Sequence, residues 1–157
     1  MSDYVLSCCS TADVTRELLE ERSIVYVYFN YQLDGQMLKD DFGQTNSPAQ
    51  LYSKMLAGAD AKTSQVSVGE YITHFEKFLT QGKDVLHVTL SSGISGTYGS
   101  ACAARDQLTE KYPDRKVVIV DSLCASAGYG LLMDRLADLR DTGMGIAAED
   151  LPRIFEQ

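Results

Sequence analysis

The sequence predicts an α/β domain: a mostly parallel sheet with helices on both faces. Two observations carry this. First, short β-branched apolar runs alternate with helical patterns along most of the chain. Second, several of these runs stop in loops of Ser, Thr and Gly that open directly into a helix, as strand–loop–helix units do. At 157 residues with 45% apolar side chains, there is enough chain for one real core.

Taken in order, Tyr4-Val5-Leu6-Ser7-Cys8-Cys9 reads as a short buried strand. Ser10 or Thr11 then caps a helix, with Ser10 and Asp13 as a capping box and Val14 and Leu18 on one face. Ile24-Val25-Tyr26-Val27-Tyr28-Phe29 is the clearest strand, β-branched and aromatic throughout. Asp34-Gly35 predicts a hairpin turn. Ser47-Pro48 opens a helix carrying Leu51, Tyr52, Met55 and Leu56, since Pro suits a first helical turn. Thr63-Ser64-Gln65-Val66-Ser67 is a hydroxyl-rich loop, and Ser67 with Glu70 makes a second capping box. Val68, Tyr71, Ile72, Phe75, Phe78 and Leu79 follow at helical spacing. Val85 to Leu90 is a strand that stops at Ser91-Ser92-Gly93-Ile94-Ser95-Gly96-Thr97, and a small-residue helix follows. Lys116 to Val120 is the last strand. Asp121-Ser122 ends it, and Ser126-Ala127-Gly128-Tyr129-Gly130 leads into a helix with Leu131, Leu132, Leu136 and Leu139. The loops at 7–11, 63–67, 91–97 and 121–126 are expected to share one rim, at the carboxyl ends of the strands, where such sheets bind ligands.

Composition excludes several classes. A net charge of −8 with no Lys/Arg cluster argues against nucleic acid. No apolar run approaches the ~20 residues that span a bilayer, and the acidic start lacks the basic region of a secretory signal. Cys8, Cys9, Cys102 and Cys124 show no metal-ligand spacing, so reduced thiols, no metal and a cytoplasmic setting are expected.

The loop at 91–97 carries more hydroxyls than one helix cap needs. Ser91, Ser92, Ser95 and Thr97 stand with backbone N–H groups at the positive end of a helix, which suits a carboxylate or a phosphate. A serine hydrolase using Ser95 or Ser92 with His87 is the enzyme alternative. However, Gly93-Ile94-Ser95-Gly96-Thr97 places the second Gly one position early for a nucleophile elbow, and both His74 and His87 sit in apolar patterns. Gly143-Met144-Gly145-Ile146-Ala147-Ala148 matches a dinucleotide pattern but follows a helix rather than a strand. Asp141 to Ile146, with Glu149, Ile154 and Phe155, resembles the glycine box of histidine-kinase ATPase domains, in which the Asp would contact adenine. No asparagine-box helix precedes it, and a helix stop followed by a capped helix from about Ala148 is the simpler reading.

Four motifs resemble the N-terminal domain of the DegV family of fatty-acid-binding proteins. They are Ser10-Thr11-Ala12-Asp13, Thr63 to Ser67, Leu90 to Ala101, and Val120-Asp121-Ser122 with Ser126 to Gly130. The twelve residues from Leu90 are nearly the whole family signature. The resemblance implies a bacterial cytoplasmic protein, not itself an enzyme and without a cofactor, that binds one long-chain fatty acid. It implies that Thr63 and Ser95 hydrogen-bond the carboxyl group, with Ser64, Ser92, Gly96 and Thr97 beside them. In some members the fatty acid is presented to a separate kinase catalytic subunit for phospholipid synthesis. Three residues depart from the pattern: Cys9 replaces Asp, Val66 replaces Pro and Gly99 replaces Gln. Family members also carry a second domain of similar size over the acyl chain. Residues 1–140 are therefore expected to form the first domain. Residues 141–157 are expected to be a helical tail, either the start of a missing second domain or a fusion segment. A chain lacking the second domain is expected to bind lipid weakly and to expose an apolar face through which it self-associates.

Overall fold

The computed structural model describes residues 4–142. The elements are β1 (Tyr4–Cys9), a 3-10 turn (Ser10–Ala12), α1 (Arg16–Glu21), β2 (Ile24–Val27), β3 (Asn30–Leu33), β4 (Gln36–Lys39), α2 (Pro48–Leu56), β5 (Ala61–Ser64), α3 (Val68–Leu79), β6 (Asp84–Thr89), α4 (Thr97–Lys111), β7 (Val117–Asp121) and α5 (Ser126–Asp141). Four strands form a parallel sheet in the order β2-β1-β6-β7, flanked by helices. The central strands β1 and β6 are the near-continuous apolar runs, as burial on both faces requires. The glycine-box and dinucleotide patterns fall almost entirely on residues 143–157, outside the described residues.

The chain leaves β1 toward β2 on one side, and returns through β6 to β7 on the other. The sheet therefore changes winding direction between β1 and β6, the place where an open parallel sheet offers a crevice at its carboxyl end. The ladder between these strands runs from Tyr4 opposite Asp84 to Ser7 opposite His87. Beyond it the Tyr129 hydroxyl, fully buried, accepts from the Cys9 N–H at 3.0 Å and donates to the Val88 carbonyl. A side chain from α5 thus bridges the two strands where their own pairing has ended.

A second sheet, antiparallel and ordered β4-β3-β5, was not foreseen as such. The Asp34-Gly35 turn forms as expected between β3 and β4, with φ of 49° and 81°, the left-handed pair of a type I′ hairpin. Thr63 and Ser64 are not loop residues. They end β5 and pair with Tyr31 and Asn30 of β3. The segment Ala61-Lys62-Thr63-Ser64 has no apolar alternation to announce a strand; a partner across the sheet makes it one.

The caps at Ser47 and Ser67 form as complete boxes with Gln50 and Glu70. Ser10 does not cap a helix. Its hydroxyl accepts from the Phe29 N–H at 3.0 Å and donates to Asp40 at 2.8 Å, and Thr15 caps α1 instead. The chain turns sharply at Ser10–Ala12, so the Ser10 hydroxyl meets the crossing strand-end rather than a helix start. Leu131 is also turned outward, 72% exposed. The rotation of α5 is fixed instead by Tyr129, Gly130, Met133, Leu136 and Ala137 on its buried side.

Gly130 shows how closely α5 approaches. A Cβ there would stand 2.5 Å from the Ala12 carbonyl oxygen and 2.6 Å from Val14 Cγ1, while one at Gly128 would meet nothing nearer than 3.8 Å. Gly130→Ala is therefore expected to destabilise by about 1–3 kcal/mol, lowering the melting temperature by several degrees. Gly128→Ala is expected to leave it unchanged or higher. Thermal melts of the two variants side by side check this.

Candidate functional site

The segment that follows β6 spends most of its backbone donors on itself. Ile94 and Ser95 N–H both donate to the Ser91 carbonyl at 3.2 Å, and the Gly93 N–H donates to the Ser91 hydroxyl at 3.2 Å. The Asp121 carboxylate, at the end of β7, accepts from the Ser92 and Leu123 N–H groups at 3.1 Å each. The Ser91 N–H donates to the Cys124 carbonyl at 3.1 Å. The loops after β6 and β7 are thereby tied into one rim. The expectation of several free amides is corrected: a loop this tight closes on its own N–H groups.

Three donors remain. The Gly96 N–H is in none of these bonds. Ser95 Oγ accepts from the Thr97 N–H at 3.2 Å and keeps its own proton to give. Ser92 is exposed, and its hydroxyl makes no bond among the described residues. All three stand at the start of α4, a helix of 15 residues whose N-cap, Gly96, offers no side-chain cap.

Gln65 brings the β5 side to the same place. Its side-chain amide donates to the Ser100 hydroxyl at 3.1 Å and lies against Gly96, where a Cβ would come within 2.2 Å of its oxygen. Thr63, two residues earlier, is exposed and lines a groove of about 360 Å³ with Thr11, Phe29, Tyr31, Asn46 and Tyr52. Ser64 is half-buried at the end of β5. Ser92, Ser95 and Gly96 are thus gathered, with Gln65 linking them to the strand of Thr63 and Ser64. Thr97 is placed differently. It is wholly buried and its hydroxyl meets the Tyr71 hydroxyl of α3 at 2.7 Å, so it faces the core and not the rim.

Behind Thr97 lies a buried polar chain. Tyr71 also meets Cys9 Sγ at 3.3 Å, and Cys9 Sγ lies 3.7 Å from His87 Nε2. His87 Nδ1 and His74 Nε2 each lie 2.8 Å from the Ser7 hydroxyl. The hydrolase pairing of His87 with Ser92 or Ser95 does not form. His87 is fully buried, and both its nitrogens point at Ser7 and Cys9. Strand alternation puts Ser7, Cys9 and His87 on the face under α3, away from the loop hydroxyls. Among the described residues no group of three or more His, Cys, Asp or Glu could hold a metal ion, and no helix is long and apolar enough to cross a membrane. All four cysteines are free thiols, Cys8 and Cys9 in the core.

Comparison with known proteins places the chain in a family. The model of the DegV family, described as uncharacterised proteins, matches residues 9–150. The chain belongs to the DegV family. A DegV domain-containing protein of Streptococcus pyogenes serotype M1 is 37% identical over 143 residues, which is 91% of this chain and 50% of that protein. One from Clostridium perfringens is 33% identical over 146 residues, 93% of this chain and 50% of that protein. The chain therefore spans about half the length of the curated relatives it matches. Among solved structures, a stearic-acid-binding protein from Eubacterium ventriosum superposes with a TM-score of 0.84 at 27% identity, covering 96% of this chain and 51% of that one. The Streptococcus pneumoniae fatty acid kinase B3 protein loaded with linoleic acid superposes with a TM-score of 0.75 at 25% identity, covering 98% and 52%.

Sequence reasoning missed Gln65, Asp121 and Tyr71 as parts of this candidate site. Gln65 and Asp121 lie in hydroxyl-rich segments, and only their hydrogen bonds reveal what they do. Tyr71 falls at the apolar spacing of α3, which by itself marks it only as a core position.

The histidine pair has a thermodynamic consequence. Burial, with Lys77 adding to it, pushes His74 down from 6.5 to about 4, and burial, with His74 adding to it, pushes His87 well below the usual imidazole value. A depressed imidazole stabilises the fold fully only above its unfolded value, and that contribution disappears as pH falls from 6.5 toward 4. For His74 the loss is on the order of 3 kcal/mol, worked from 1.36 kcal/mol per pH unit. Urea midpoints are expected to fall between pH 6.5 and 4.5, before most carboxylates titrate, and His74→Gln is expected to flatten that fall. Parallel curves for the two proteins would refute it.

Proposed function

We propose that this chain binds the carboxylate of a long-chain fatty acid at the start of α4. The Ser95 and Ser92 hydroxyls and the Gly96 N–H donate to it, and Thr63 and Ser64 approach from β5. The observation that carries the reading is the set of donors left over at the α4 start, in a chain similar to proteins that bind stearic and linoleic acid. Hydrogen bonds to a charged group contribute about 1.5–3 kcal/mol each. The positive end of a long helix adds to them. Exposed Ile94 and Leu123 stand on the same rim and give the first methylenes an apolar surface. Each CH₂ of the acyl chain that is buried adds about 0.8 kcal/mol to these head-group contacts.

The role is binding rather than catalysis: the only two histidines of the sequence are buried and committed to Ser7, which leaves the loop hydroxyls without a general base. The carboxylate is held for a separate cytoplasmic kinase, which phosphorylates it. The likeness to the pneumococcal fatty acid kinase B3 protein supports this. Exposed Tyr52, Met55 and Leu56 on α2 favour a second reading, pairing of two chains through an apolar face.

Native mass spectrometry of the purified chain titrated with oleate tests these readings. One oleate is expected per chain, with affinity at least tenfold lower in the Ser95→Ala, Thr63→Ala double variant. No uptake at saturating oleate, or equal uptake by the double variant, rejects the binding reading. A dimer mass without lipid supports pairing in its place.

A further inference from the structure

We propose that Tyr71 is a positioning residue that holds the fatty-acid site from inside the core. The inference rests on the binding reading above but is carried by different atoms. Thr97, the first residue of α4, has its side chain wholly buried, and its N–H donates to Ser95 Oγ. Whatever fixes Thr97 therefore fixes the direction of the Ser95 hydroxyl. Tyr71 fixes it: its hydroxyl lies 2.7 Å from Thr97 Oγ1 and 3.3 Å from Cys9 Sγ. Cys9 Sγ also accepts from the backbone of Leu90, where the loop begins. One thiol and one phenol thus grip both ends of the segment from Leu90 to Thr97.

Counting protons gives this grip a direction. The chain Thr97–Tyr71–Cys9–His87–Ser7–His74 has one proton for each link if both imidazoles are neutral. Run inward, all five linking protons find acceptors, and the sixth sits on Nδ1 of His74, a side chain 7% exposed that lines a surface groove. Thr97 donates to Tyr71, Tyr71 to Cys9, Cys9 to His87 Nε2, His87 Nδ1 to Ser7, and Ser7 to His74 Nε2. Run outward, the Thr97 proton ends in the core with no acceptor in the chain, which a buried donor resists. The inward order makes His87 the Nδ1–H tautomer and turns Thr97 away from the ligand. The Thr97 amide is then left to orient Ser95, whose own proton faces the carboxylate. Tyr71 therefore touches no ligand and acts through Thr97 alone.

The test uses the full chain labelled with ¹⁵N. Wild type is expected to show His87 protonated on Nδ1. Tyr71→Phe is expected to keep a cooperative melt, yet move the Gly96 and Thr97 amide signals and the His87 ring nitrogens, and lower oleate affinity five- to tenfold. Thr97→Val is expected to repeat both effects and Thr97→Ser to restore wild-type behaviour, a rescue that lost packing alone would not give. Unmoved loop signals in Tyr71→Phe and Thr97→Val overturn the proposal, as does unchanged oleate affinity with the loop displaced. If wild type takes up no oleate while the signals still move, Tyr71's hold on the loop stands and the fatty-acid reading falls. Should Tyr71→Phe not fold, the Thr97→Val and Thr97→Ser pair decides by the same signals.

Discussion

The Tyr129 hydroxyl stands where β1 and β6 stop pairing, and the rest of the site depends on it. A backbone N–H and a carbonyl left buried and unpaired at that point would each carry a desolvation cost. Tyr129 satisfies both with one oxygen, because a phenol donates once and accepts as well. The strands can then send their chains apart, one into the turn at Ser10 and the other into the loop at Ser91. The demand on α5 is severe. It must come close enough for the ring to reach the sheet, which is why Gly130 lies against the Ala12 carbonyl and why no side chain fits there.

The face of the sheet under α3 meets a different constraint. Ser7, His87, Cys9, Tyr71 and His74 are polar groups in a core that could have been apolar. Such a network is tolerable only when nearly every member is paired, since the low dielectric that strengthens its bonds also punishes an orphan. The geometry meets that condition across three elements: β1 and β6 supply the serine, thiol and one imidazole, and α3 supplies the phenol and the other imidazole. Ring contacts of His87 with Tyr71 and Phe75 at 5.2 Å pack the same cluster. What results is a rigid wall behind the start of α4, and a loop that closes on its own amides needs such a wall if its few remaining donors are to hold one direction.

Much of this was legible in the residues. Apolar runs and capping boxes located the parallel strands and the helices that start at Ser47 and Ser67, because those features depend on local chemistry. The hydroxyl loop at 91–97 was legible as a loop that opens into a helix for the same reason. The antiparallel sheet was not, since β5 is a polar tetrapeptide that becomes a strand only against β3. Ser10 misled because a serine before a helical pattern is ordinarily a cap, and only the crossing of the chain beside Phe29 and Asp40 reveals its other use. The same limit applies to Thr97. Its motif places it among the ligand hydroxyls, whereas its direction is set by a tyrosine 26 residues away.

These placements together explain why one loop suits binding better than catalysis. A nucleophilic serine needs a base within hydrogen-bond reach and an exposed path for the proton. Here the imidazoles are drawn into the core by Ser7, and desolvation lowers their basicity further. A carboxylate asks for less: a few donors that do not move, no proton transfer, and a local field that favours negative charge. The α4 start supplies the field, Ser95 and Gly96 supply donors, and the Asp121 carboxylate accepts from amides of the rim itself. By accepting from Ser92 and Leu123 at one oxygen, that carboxylate braces the rim. The protein thus makes one acidic side chain part of the frame that holds this loop.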